Sequence, residues 1–282
     1  MTLKSAISGE YIYMLLTWAD PTDDNTDEVW RYDGAAWTQG PIDDAVAIFW
    51  DIDDSISGFN KTGCRVLCHA INGRPTMNIV GPDTAQGLWS GAKQRGDIWD
   101  MSLGISNVRG AGNDYFFGID EAYANNPTAV APVIRRRHDA FTARAPFELN
   151  KRVDPATGKN VPRYRLRAGL TATATPYPQI TQVEEITDYA AFKAGDMIPF
   201  VVFYPLDTPW GGSRDDLAAK GVWLDGHWTV EFKRKLNTGH PADDIKFVNK
   251  AGQTSYYVFD VALFNRTIDQ HTYSGPISLE IR

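Results

Sequence analysis

Cysteine is scarce in this chain: 282 residues contain two, Cys64 and Cys68. A framework of several disulfides is therefore excluded, and any thiol chemistry is confined to one place. Basic charge is not in surplus either. Against 35 Asp and Glu stand 28 Lys and Arg, a net charge of −7, which argues against nucleic acid as a general partner, because a phosphate-binding surface shows as excess Lys and Arg. No run of about 18 apolar residues occurs, so no transmembrane segment is expected. The start, Met1-Thr2-Leu3-Lys4-Ser5, has no apolar signal core. There is no Gly-x-Ser-x-Gly elbow, phosphate loop, dinucleotide fingerprint or His-Glu-x-x-His. Histidine and methionine number five each, so the pool of strong metal donors is small.

What is present is apolar and aromatic. Hydrophobic residues make up 43% of the chain and aromatics 12%, enough for a substantial core in a single domain spanning 1–282, with an insertion at about 127–180. The local pattern is that of strands. Tyr11–Trp18, Val46–Trp50, Ile198–Phe203 and Tyr256–Phe264 are short β-branched or aromatic runs bounded by Gly, Pro, Asn and Asp. Trp228, Val230 and Phe232 alternate with Thr229, Glu231 and Lys233, which puts one apolar face on a strand. Asp33-Gly34 and Asp225-Gly226 read as hairpin turns. Ala85–Lys93 and Asp97–Ser106 are the helix candidates. Together these patterns predict a mainly β protein, an antiparallel β-sandwich with short helices. The stretch Pro127–Pro178, containing Arg135-Arg136-Arg137, reads as a long excursion from it.

Cys64-Arg65-Val66-Leu67-Cys68-His69 carries the chemistry. Two thiols followed by an imidazole are what thioether attachment of haem requires, with the histidine as an axial ligand, although the usual spacing has two residues between the cysteines rather than three. A Cys64–Cys68 disulfide, or two buried thiols beside a chance histidine, fits the same residues. The donors that remain for a second ligand are Met77, Met101, His240 and His271, with lysines such as Lys220 and Lys233 if burial removes their proton. Separately, Asp20, Asp23, Asp24, Asp27 and Glu28 form an acidic loop that lacks EF-hand spacing and reads as solvated.

Seven segments in order resemble the haem-binding domain of the ethylbenzene dehydrogenase family, the gamma-subunit type that accompanies molybdenum enzymes related to dimethyl sulfoxide reductase. They are Trp18-Ala19-Asp20-Pro21-Thr22, Trp30-Arg31-Tyr32-Asp33-Gly34 with Trp37, Phe59-Asn60-Lys61-Thr62-Gly63-Cys64 leading into Cys68-His69, Asp97-Ile98-Trp99, Lys220-Gly221-Val222-Trp223 with Gly226-His227-Trp228-Thr229-Val230, Arg234-Lys235-Leu236-Asn237-Thr238-Gly239, and Phe264-Asn265 followed by His271. Residues about 127 to 180 match nothing recognisable, and Asp100-Met101-Ser102 departs from the aromatic and basic pattern of relatives. The resemblance implies a haem-binding electron-transfer protein that turns over no substrate by itself, with Trp50, Trp99 and Trp223 as candidates to line its pocket. A c-type haem is favoured, held by Cys64, Cys68 and His69; His271 is preferred as second ligand because the resemblance places a histidine near that point. A b-type haem held by Met77 and His271 is the alternative. A redox partner, either a molybdenum oxidoreductase or another cytochrome, and a periplasmic or extracellular location follow from the same resemblance. Two other readings remain open: a carbohydrate-binding β-sandwich with a Cys64–Cys68 disulfide, and a haem-containing subunit of a molybdenum oxidoreductase complex.

Overall fold

The computed structural model describes residues 1–26, 28–56, 58–67, 95–119, 134–138, 147–205, 211–241, 243–267 and 271–282. In chain order the first strands are β1 (Thr2–Ser8), β2 (Tyr11–Ala19), β3 (Trp30–Tyr32), β4 (Trp37–Gln39), β5 (Ala45–Asp51), β6 (Gly96–Ser102) and β7 (Asn113–Ile119). Next come β8 (Ile134–His138), β9 (Phe147–Leu149), β10 (Arg152–Val153), β11 (Asn160–Val161), β12 (Tyr164–Leu166) and β13 (Val183–Glu185). The last are β14 (Met197–Ile198), β15 (Val201–Phe203), β16 (Leu217–Leu224), β17 (His227–Lys235), β18 (Ser255–Phe264), β19 (Thr272–Tyr273) and β20 (Ile277–Ile281). Two short helices, α1 (Phe59–Thr62) and α2 (Ile105–Arg109), lie between them.

The protein is mainly β, as its residue pattern predicts. One sheet has the order β1-β2-β17-β16; the other runs β19-β18-β5-β6-β7-β8, with β20 continuing the edge beside β18. All these pairings are antiparallel. The core lies between the two sheets. Met14, Leu16, Val230 and Phe232 from one face meet Ile48, Trp50, Trp99, Met101, Phe259 and Val261 from the other. Burying a side chain of this size is worth about 1.5–3 kcal/mol, and a one-residue slip would turn a whole strand's set to solvent. Register is therefore strongly specified. The Asp225-Gly226 turn closes β16 on β17 with both residues at positive φ, 50° and 77°, the geometry of a tight hairpin that Asp-Gly adopts readily.

Asp97–Ser106 is strand, turn and helix rather than one helix: β6 ends at Ser102, and α2 begins at Ile105. The misleading feature is that β6 is buried on both faces, so its residues show no polar alternation. Ala85–Lys93 lies outside the described residues. Ile198–Phe203 also divides, because Pro199 has no N–H to donate to a ladder; β14 pairs with β3, and β15 pairs with β9. Within 127–180, β8 adds an edge strand beside β7, whereas β9 to β12 belong to small two-stranded ladders. Phe147 of β9 packs on a second cluster formed by Trp30, Ile186, Ile198, Phe200, Val201 and Phe203. Asn150 ties that region together. Its side-chain amide donates to the carbonyls of Tyr164 and Pro199 at 2.9 and 2.8 Å, and its oxygen accepts from the N–H groups of Arg163 and Tyr164 at 2.9 and 2.7 Å. A buried amide with both ends satisfied in this way stabilises; one left half-satisfied would not.

Between the sheets lies a buried charge network. Arg234 continues the inward stripe of β17 and is fully buried. Its guanidinium donates to Asp97 of β6, lies 3.2 Å from Asp244 and 3.7 Å from Asp114 of β7, and sits over the Trp99 ring at 5.2 Å. Burial pushes the Asp97 carboxyl above its usual range despite Arg234, and the three carboxylates hold Arg234 firmly protonated against its own desolvation.

Candidate functional site

Alternation along the larger sheet gives it a second, outward face that is also apolar. Neighbouring residues on a strand point to opposite sides, so while Trp50 and Trp99 enter the core, Phe49 and Ile98 are paired on the outer side. There Ala47, Ile98 and Phe117 are buried, with Phe49, Tyr115 and Phe264 packed against them. Phe49 stacks edge-on to Phe59 of α1 at 5.3 Å and lies 5.5 Å from Phe117. Gly96 makes this packing possible, since a Cβ there would fall 1.9 Å from the Phe49 ring.

Two of the residues singled out from the sequence meet the β18 edge of this face. The half-buried Cys64 follows α1, and its N–H donates to the Asp260 carboxylate at 3.0 Å. The half-buried His271 lies against Phe264, with ring centroids 4.9 Å apart and the planes tilted by 40°. Asp260 and Phe264 share the outer side of β18, opposite Phe49 and Ala45 of β5, and four residues of strand separate them by about 13 Å. A thiol and an imidazole are both side chains of a kind that can hold a metal. Cys68, His69 and Met77 lie outside the described residues.

The other candidates are elsewhere. Met101 is fully buried in the core, on a strand and not on a helix. His240 is 3.7 Å from Asp216, and His227 contacts the Asp225 carbonyl in its hairpin. Lys220 donates to the Asn107 carbonyl, and Lys233 lies over the Tyr11 ring at 4.4 Å; their strands, β16 and β17, belong to the other sheet. Trp50 and Trp99 are core residues and do not line the outer face. The Trp223 indole donates to the Asp20 carbonyl instead.

The acidic loop is not simply solvated. Asp20 and Asp44 are buried, and with Asp24 they bring one carboxylate oxygen each within 4.8 Å of one another. Trp228 and the Arg266 N–H donate to Asp44 at 3.1 Å, Thr22 donates to Asp20 at 3.1 Å and to Asp24 at 2.5 Å, and the Arg266 guanidinium stands 3.5 Å from Asp24. The loop folds inward because these donors await it. Asp27 lies outside the described residues.

A protein-family model described as ethylbenzene dehydrogenase matches residues 1–274. The chain belongs to the ethylbenzene dehydrogenase family. The matched range includes 127–180, the stretch that carried no recognisable resemblance. No curated protein matches. Several segments on which the resemblance rests meet in this family member at the acidic corner: Asp20 and Thr22, Trp223, Trp228, and Asn265.

Burial leads the shift of three carboxyls in this protein, lifting Asp44 to about 7 and Asp43 and Asp51 to about 6 from 3.8. Such raised groups favour the fold while protonated. Their contribution is complete below the unfolded value of about 3.9 and is lost as pH rises through about 6 to 7. The thermal midpoint is therefore expected to decline between about pH 4 and pH 7 and to level off above that. Asp44→Asn should make that decline shallower, whatever its midpoint at any single pH. A slope equal to that of the wild type would show that Asp44 ionises freely.

Proposed function

We propose that this chain is a haem-binding electron-transfer domain whose ring lies on the outer aromatic face of the larger sheet. The observation that carries the reading is the arrangement of Cys64 and His271 at two places along the β18 edge of that face. In the reading, Cys64 and Cys68 would hold the haem through thioethers and His69 and His271 would ligate its iron; with a b-type haem, Met77 and His271 would be the ligand pair. Bound haem supplies a one-electron couple. The chain's own part is to exclude water with Phe49, Ile98, Phe117 and Phe264, and to fix two ligands so that little rearranges on reduction. The domain turns over no substrate by itself.

Thioether attachment is completed outside the cytoplasm, so the proposed location is periplasmic or extracellular. The proposed partner is a redox protein, a molybdenum oxidoreductase or another cytochrome. Sugar recognition would need exposed tryptophan faces. Among the described residues, Trp18, Trp30, Trp50, Trp99 and Trp228 are buried, and Trp37 and Trp223 are half-buried. Among the described residues, no helix is long and apolar enough to cross a membrane.

Expression together with c-type haem maturation machinery tests the reading. A red protein with a Soret band and a c-type pyridine spectrum is expected; a colourless protein contradicts it. The partner leaves a second mark. Arg135, Arg136 and Arg137 occupy β8, paired with Gly118, Phe117 and Phe116 of β7, beside the face assigned to haem. Charge reversal of all three to Glu should slow electron transfer to an acidic partner by roughly tenfold at low salt, with the spectrum and potential unchanged. The difference should fade near physiological ionic strength, where charges more than about 8 Å apart are screened. Equal rates across a salt series would place docking elsewhere.

A further inference from the structure

The buried carboxylate of Asp260 joins the two segments that matter for the proposed site. It is 1% exposed. Its Oδ2 accepts the Cys64 N–H at 3.0 Å, and its Oδ1 accepts the Val261 N–H at 2.9 Å and lies 2.7 Å from the Ser274 hydroxyl. Ser274 is three residues after His271, and its own N–H donates to the Val261 carbonyl at 2.9 Å. On the other side, Gly63 turns at φ 63° and ψ −153°, and a Cβ there would fall 2.1 Å from Asp260 Oδ2 and 3.3 Å from the Pro276 nitrogen. The chain thus enters Cys64 flush against the carboxylate and against the strand that follows Ser274. The Cys64 and Val261 N–H groups both donate to the carboxylate, and the Ser274 hydroxyl proton has Asp260 Oδ1 and the Gly275 carbonyl, each at 2.7 Å, as acceptors. A group with two acceptor oxygens and no donor suits the position, and bonds to an ionised acceptor are about twice as strong as neutral ones.

We propose that Asp260 is the positioning residue of this site: one carboxylate fixes the segment beginning at Cys64 and the segment carrying His271 relative to each other, so that thiol and imidazole are set before haem arrives. The proposal rests on the haem reading above. It gives Asp260 no contact with the ring; the residue acts through the backbone of Cys64 and the hydroxyl of Ser274. Pre-setting both segments lowers the ordering cost of attachment.

Three variants of the full chain test it. Asp260→Asn keeps the shape but turns one acceptor into a donor facing an N–H or a hydroxyl. Amide exchange in residues 63–67 and 271–275 should speed up roughly tenfold or more, and haem per protein should fall several-fold after expression with maturation machinery. Ser274→Ala frees only the second segment. Faster exchange confined to 271–275 is expected, with haem still attached but an altered axial-ligand spectrum, and Ser274→Thr should restore the wild-type spectrum. This pair decides the matter if Asp260→Asn does not fold. Faster exchange with wild-type haem content and spectrum would overturn the proposal, reducing Asp260 to a structural clamp. Unchanged exchange would overturn it as well. A wild type that takes up no haem in the same experiment would overturn the haem reading itself, and the proposal with it.

Discussion

Replacing Arg234 by methionine should lower stability by about 3–5 kcal/mol or leave the chain unfolded, because removing one partner strands a buried charge. Here the stranded charges are three: Asp97 on β6, Asp114 on β7 and Asp244 in the loop after β17, each within 4 Å of the guanidinium and each almost fully buried. The strands concerned belong to opposite sheets, so the loss falls on the packing of the sandwich and not on a surface loop. The penalty should shrink as pH is lowered toward about 4, where carboxylates accept protons. Arg234→Lys should be intermediate, since an ammonium keeps the charge but not the planar fork that reaches several carboxylates together. Denaturant unfolding at two pH values checks both statements. A methionine variant within about 1 kcal/mol of wild type would show that the network contributes no more than a surface ion pair does.

The second large effect is expected at His271. Changing it to alanine in the haem-loaded protein should leave the haem attached and vacate one axial position, so that the ferrous form binds carbon monoxide readily, as the wild type does not. The resemblance favours this residue, and the structure sets its ring against Phe264 on the outer face, whereas His240 lies 3.7 Å from Asp216. An unchanged low-spin spectrum with no carbon monoxide binding would move the second ligand to Met77 or a lysine.

Much of the sandwich was legible because alternation is a local signal. Trp228, Val230 and Phe232 face inward as their spacing predicts, and Asp33-Gly34 and Asp225-Gly226 turn the chain between paired strands. Continuing the β17 stripe by two residues would also have placed Arg234 inside, but a buried arginine is credible only once three carboxylates are seen around it. β6 was misread for the complementary reason. Its inward residues are Asp97, Trp99 and Met101, and its outward Ile98 is buried too; the charge that makes Asp97 tolerable comes from a residue more than a hundred positions away.

The site was partly legible. The Cys64 segment and His271 were nominated on motif and resemblance, but the surface between them was not, because parity decides it: Phe49 and Ile98 face outward, while Trp50 and Trp99, their chain neighbours, do not. Asp260 gave no signal at all, as one aspartate in an aromatic strand. Only the folded chain brings Gly63, Cys64 and Ser274 to it.

The most direct test of the haem assignment is peptide mapping of the protein made with maturation machinery, after acid-acetone extraction. One haem on the peptide containing Cys64, Cys68 and His69, lost in Cys64→Ala together with Cys68→Ala, is the result predicted. Complete extraction of the colour would contradict covalent attachment and leave the b-type arrangement, and a chain with no haem under either condition would contradict the assignment altogether.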